Sequence, residues 1–258
     1  MAHGESAKAA DWAEVDWTRP WLTPYRELGL AASKALARGA SVAEALQSAA
    51  PLAPGTVGSA NAFVPAEERP AAEPYEAFIA RTGHVPTRDN LHDLLNGLVW
   101  LRFPDFKRSV IHLHAEQIAL HGAAGTRGVL RDALTLLDEN GALWAPTAAS
   151  ADLLQRREWK ALFSGWKTGA DACPLLLVGH ALLEKLVRPR KAITAHVWTV
   201  PPSADAASAI GGPRSVAELL ARPRCPLPVL GIPGWWAPNE SAGFYDDLAV
   251  FRTPGGAR

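Results

Sequence analysis

The sequence predicts an α+β protein, a mostly helical single domain that carries a small, mainly antiparallel sheet. Three observations predict it. Apolar residues recur chiefly at i, i+3, i+4 and i+7, most clearly as Leu91, Leu94, Leu95, Leu98 and Leu101 between Pro86 and Pro104. Period-two alternation is confined to separated stretches: Arg131–Ala145, read as a hairpin about Asn140-Gly141, and Lys191–Val200. The elements also lack the βαβα rhythm of parallel-sheet folds. No GxxxxGK[ST], no GxGxxG after a strand and no GxSxG occurs, so P-loop, dinucleotide-binding and α/β-hydrolase readings have no support.

Taken in order, residues 1 to about 14 are polar and read as disordered. Trp17–Tyr25, with two prolines and two tryptophans, reads as an extended arm. Glu27–Arg38 is a helix stopped by Gly39, and Ser41–Ala49 is a second, opened by a Ser41/Glu44 capping box. Pro51–Pro74, rich in Ala, Pro and Gly, is a linker with a short apolar bead at Ala62–Pro65, and Tyr75–Arg81 is a short helix. The central helix runs from Asn90 to Arg102, capped by Asp89 or Asn90 and ended by Pro104. Gly97 inside it costs roughly 1 kcal/mol against alanine, so a close approach by a neighbouring element is expected there. Asp105–His121 is a long helix whose His112, His114 and His121 do not have metal-ligand spacing.

In the hairpin reading, Asp132 and Asp138 lie six residues apart on a strand, about 20 Å, and cannot share an ion. Ala151–Ser164, started by Ser150, and Pro174–Val187 read as helices, and Lys191–Val200 as a strand. Ser215–Ala221 is a helix with a Ser215/Glu218 capping box, and the Pro- and Gly-rich tail wraps the domain with an edge strand at Leu248–Arg252. No repeat of 20 to 50 residues is present.

Composition narrows the function classes. The 258 residues are 48% apolar, enough for one sizeable core, and 26 basic residues balance 26 acidic ones. A neutral chain without a basic cluster argues against nonspecific nucleic-acid binding and against an anionic membrane surface. The most apolar window, Cys173–Leu186, is broken by His180, Glu184 and Lys185 and falls short of the ~20 residues of a membrane span. The acidic start does not resemble a secretory signal, and Cys173 and Cys225 form neither a metal spacing nor a disulfide framework, so the expected compartment is the cytoplasm. The ten tryptophans are expected in the core and its seams, with stacking on a ligand as the functional alternative.

Two helices place a histidine at the head of a polar row. On the central helix His92, Asn96 and Trp100 are four residues apart, with Asp93 beside them; on the later one His180 and Glu184 are one turn apart. An HxxxE pair can hold an imidazole and a carboxylate on one ion, or orient a general base. It can equally be a local hydrogen bond that satisfies a half-buried histidine. The candidate catalytic residues are therefore His92, Asp93, Asn96, Asp132, His180 and Glu184. Trp100, Arg131 and Lys185 are candidates for substrate binding, and His180, Glu184 and His92 for a divalent metal. The expected reaction is acid–base or metal-assisted hydrolysis of a small anionic ligand in a polar pocket between the two helices. The alternative is a non-enzymatic module with structural histidine rows and Trp235-Trp236 as its recognition surface.

Four segments in order, PTRDNLHDLLNGLVWLRFPDFK, RDALTLLDENGAL, GHALLEKL with KAITAH, and LPVLGIPGWW with FYDDLAVFR, resemble a bacterial family catalogued as domain of unknown function 3025. The resemblance implies a family domain over residues 60–252, an N-terminal extension over 1–59 and a tail over 253–258. It brings no catalytic roles. The resembling polar positions are His92, Asp93, Asn96, Trp100, Lys107, Asp132, Asp138, Glu139, His180, Glu184 and Lys185.

Overall fold

Capping residues decide where the first helices begin and end. α1 (Arg26–Leu36) is closed off by Gly39 at φ +87°, a left-handed conformation that glycine adopts without steric cost. α2 (Val42–Ala49) opens with the capping box: Glu44 N–H donates to Ser41 Oγ at 3.3 Å, and Ser41 N–H donates to Glu44 Oε2 at 2.8 Å. Then come α3 (Tyr75–Thr82), α4 (Leu91–Arg102) and α5 (Pro104–His121). Asn90 caps α4 by accepting from Asp93 N–H at 2.8 Å. Ala62–Pro65 (β1) and His84–Thr87 (β2) pair in parallel, so the apolar bead is a strand.

The computed structural model describes residues 11–53, 62–122, 128–169, 175–201 and 210–253. They form two compact units. One runs to Thr135 and takes in Ile210–Val216; the other holds the residues from Leu136 and from Ala217 onward. In the first, Leu46, Leu94, Leu95 and Leu98 are fully buried. Gly97 allows the approach the sequence predicted: a Cβ there would lie 2.1 Å from Leu46 Cδ1. Trp17–Tyr25 is no extended arm, because Pro20–Tyr25 forms a 3-10 turn that buries Trp21, Leu22 and Tyr25.

The largest correction concerns Arg131–Ala145. It is not a hairpin: Val129–Asn140 is a helix, α6, and strand β3 (Gly141–Trp144) follows directly. Leu134 and Leu137, one turn apart, are both fully buried, so helical spacing prevails over the apparent alternation. Gly141 makes the sharp change possible, since a Cβ there would sit 2.2 Å from Leu137 O.

α7 (Ala148–Arg156) and α8 (Trp159–Lys167) replace the single helix expected over Ala151–Ser164. Thr147, not Ser150, provides the cap, and Arg157 at φ +55° breaks the run. The helix expected over Pro174–Val187 is in part strand β4 (Leu176–Leu177) and in part α9 (His180–Lys185). Strand β5 (Thr194–Thr199) matches expectation. α10 (Pro213–Leu220) starts two residues before Ser215, which therefore does not cap it. The edge strand is β6 (Arg224–Pro228); Leu248–Arg252 is turn and bend. The prolines of β6 are tolerated because it lies at a sheet edge.

The sheet order is β4-β3-β5-β6, antiparallel except between β3 and β5, so the fold is the mostly helical α+β class expected, with a mainly antiparallel main sheet. Trp159, Phe163, Phe251 and Tyr245 form an aromatic cluster, and Trp144 of β3 stacks on Trp166 of α8 at 4.6 Å. Asn239, 4% exposed, ties down the tail by donating to Leu230 O and Ile232 O. Among the described residues no helix is long and apolar enough to cross a membrane.

Candidate functional site

The second unit holds a histidine between two carboxylates, and backbone packing builds the arrangement. Val178 and Gly179 both donate their N–H to Gly141 O, at 3.1 and 2.9 Å. Gly179 lies so close to the end of α6 that a Cβ on it would meet Gly141 N at 2.5 Å and Glu139 O at 2.6 Å. Gly179 is also the N-cap of α9, so His180 comes next, beside the last turn of α6. The imidazole is 5% exposed, with Nδ1 3.8 Å from Asp138 Oδ2 and Nε2 3.7 Å from Glu139 Oε2. Both separations are longer than a hydrogen bond. The far end of α9 is fixed by Lys185 Nζ, which donates to Asn140 Oδ1 at 2.7 Å.

The electrostatics of this corner favour a cation. Asp138 and Glu139 stand in the last turn of α6, which carries no basic residue. That is the negative end of the helix dipole, where carboxylates are disfavoured and cations stabilised. A divalent ion would offset the negative charge of the carboxylates there. His196 lies opposite Gly141 in the β3–β5 register. Burial, followed by the charges of Arg224 and Lys185, holds its pKa below the ordinary histidine value, favouring the neutral ring.

The first unit has its own polar cluster along the row read from the central helix. Asn96, 8% exposed, donates from Nδ2 to Tyr75 Oη at 3.1 Å and accepts at Oδ1 from Lys107 Nζ at 2.8 Å. Lys107 is 1% exposed, and its ammonium lies 5.6 Å from the centre of the Trp100 ring. Asp93 is bound by Arg88, receiving its backbone N–H at 2.7 Å and its guanidinium at 2.8 and 3.1 Å. His92 is half-buried on α4. Arg131 is buried in the first turn of α6, and Asp132 next to it is exposed. Glu184 is half-buried on α9; the carboxylates facing the two ring nitrogens of His180 include Asp138 and Glu139.

Asp138, Glu139, Asn140, Lys107 and His196 are not among the candidate site residues read from the sequence. Two adjacent acids ending a helix are the signal for the first two; it is legible only once α6 is known to be a helix. Lys107 bore the weaker signal of a lysine among apolar residues on α5.

Fold and site together define a mostly helical α+β protein with a histidine–dicarboxylate cluster. The family model described as a protein of unknown function (DUF3025) matches residues 61–254, and the chain belongs to this family. No curated protein and no solved structure shows a significant match to the chain.

Proposed function

We infer that the His180–Glu139–Asp138 cluster is a hydrolytic site that uses a divalent ion on a small anionic substrate. The observation that carries this reading is the placement of a buried imidazole with a carboxylate oxygen at 3.7 Å from Nε2 and another at 3.8 Å from Nδ1. Metal–nitrogen and metal–oxygen bonds are about 2.0–2.2 Å, so donors with the Nε2–Glu139 separation can share one ion. Asp138, 3.8 Å from the other nitrogen, lies on the side where metal-bound histidines usually have an orienting carboxylate.

A divalent ion would supply a nucleophile near neutral pH by lowering the pKa of a coordinated water to about 7. His180 and Glu139 would hold the ion, and the chemistry it would supply there is hydrolysis of an ester. Lys185, exposed and anchored on Asn140, adds positive charge for an anionic substrate.

The test is elemental analysis of the purified protein after equilibration with Zn²⁺ or Mn²⁺, beside His180→Ala and Glu139→Gln. Near-stoichiometric metal that both variants lose, with hydrolysis of p-nitrophenyl phosphate or acetate following the metal, supports the reading. Absence of metal from the unaltered protein overturns it. The non-enzymatic reading then takes precedence, with the His180 row as a structural network and half-exposed Trp235 and Trp236 as the contact surface.

A further inference from the structure

A cavity of about 570 Å³ lies within the second unit, between the α7–α8 junction and the C-terminal turns. Its volume is in the range of small-molecule sites. Trp159, Tyr245 and Phe251 give it an aromatic wall. The polar tips of the first two are already engaged: Trp159 Nε1 donates to Arg252 O, and Tyr245 Oη donates to Gly231 O, both at 2.8 Å. Those bonds fix the rings; Trp159 and Phe251 are only 5% and 1% exposed, so the accessible apolar contact area comes from half-buried Tyr245 and exposed Leu248. Burial, reinforced by the charge of Glu240, pushes the Tyr245 phenol up to about 12, so it adds no negative charge at neutral pH.

The charges on the lining are not balanced. Arg156, Arg157 and Lys160 stand against Glu158 and Asp246. Arg156 pairs with Asp152 and with Glu158, and Lys160 pairs with Asp246. The Arg157 guanidinium makes no hydrogen bond or ion pair with any described residue, although the side chain is half-buried. Burying part of a cation without a counter-charge is costly. Arg157 is also the one described non-glycine residue at positive φ, +55°, in a helix-ending position that glycine commonly occupies. An arginine kept where glycine would be less strained and less charged is the kind of outlier from which function is inferred.

We propose that this cavity binds a small aromatic monocarboxylate, its ring against Tyr245 and Leu248 and its carboxylate on Arg157. Among the described residues Arg157 is the one lining cation without an ion pair, and it matches a single negative charge; a dianion would bring one charge into the cavity uncompensated. A planar guanidinium pairs with a carboxylate through two parallel hydrogen bonds.

The experiment is ¹⁹F NMR of 4-fluorophenylacetate and 4-fluorophenylacetamide with the full chain. The carboxylate is expected to bind at least about tenfold more tightly than the amide, the ratio that loss of one charge-assisted contact gives. Arg157→Gly and Arg157→Gln should each remove that preference while leaving the amide unchanged, and Arg156→Gln should alter neither probe. Arg157→Gly relieves the left-handed strain, so it should fold at least as stably as the unaltered chain. Equal binding of the two probes, an unchanged preference in Arg157→Gly, or no binding of either probe at millimolar concentration overturns the proposal.

Discussion

The Cβ that Gly179 lacks would lie 2.5 Å from the backbone nitrogen of Gly141. Backbone cannot swing aside as a flexible side chain does, so this contact sets the distance between the start of α9 and the end of α6. It is the contact that brings His180 to Asp138 and Glu139. Gly179→Ala is therefore expected to cost about 1–3 kcal/mol, an overpacking penalty, and to abolish metal uptake. Thermal unfolding should show a drop of about 2–4 °C per kcal/mol for a chain of this size. An unchanged melting temperature with full metal content would contradict the account of how the site is built.

Gly97 gives a parallel test in the other unit. Intrinsic propensity says that Gly97→Ala should stabilise α4 by roughly 1 kcal/mol. The 2.1 Å approach of Leu46 Cδ1 says the opposite. We expect net destabilisation by about 1–3 kcal/mol. Leu46→Ala alone should cost about 2–5 kcal/mol. In the double variant the two losses should be less than additive, because the smaller side chain makes room for the methyl group. Denaturant unfolding of the four proteins measures the coupling directly.

Lys107 should contribute through its partner more than through its charge. Lys107→Met keeps much of the apolar stem but leaves the buried Asn96 Oδ1 without the donor now at 2.8 Å. The expected loss is about 1–3 kcal/mol, the cost of orphaning a buried polar group. Asn96→Ala and Lys107→Met should be non-additive by urea melts. Independent effects would show that the hydrogen bond contributes little.

Stability should fall on the acid side in two stages. His196 has a pKa below its ordinary value of 6.5, with burial as the main cause. Its contribution is present above pH 6.5 and is lost as pH falls through the folded-state value, because the unfolded chain takes up the proton first. Glu44 and Glu73 are likewise depressed below 4.5, by hydrogen bonds from Ser41 and Arg81 respectively. Asp247 lies below 3.8, chiefly through Lys191. Their contributions are complete above the unfolded values and disappear as pH falls below about 4. His196→Gln should flatten the first stage and Glu44→Gln part of the second, as read from melting temperature against pH. A melting temperature constant from pH 7 to about 5 would remove His196 from the account.

Much of the first unit was written in local chemistry. The Ser41/Glu44 box, the Asn90 cap and the leucine row of α4 each act within one turn of chain, so spacing alone reveals them. The class of fold was legible for the same reason, since it follows from which period dominates. In the second unit local signals misled. Asn140-Gly141 has the chemistry of a hairpin turn, yet its glycine serves to let β3 leave α6 against Leu137 O. Pro174–Val187 is apolar enough for one helix, but Leu176 and Leu177 pair with β3 and join the sheet, which leaves the helix to His180–Lys185.

The histidine at position 180 and the acids at 138 and 139 stand in the sequence as separate residues about forty positions apart. By itself the sequence determined that His180 would head a polar row within an apolar segment. That Asp138 and Glu139 are its neighbours was decided by tertiary structure, through the Gly179–Gly141 backbone approach. The physical reason is one of range. Helix periodicity and capping are set by residues three or four apart, whereas which surfaces meet depends on long-range packing and on the few positions where a missing side chain lets two backbones touch.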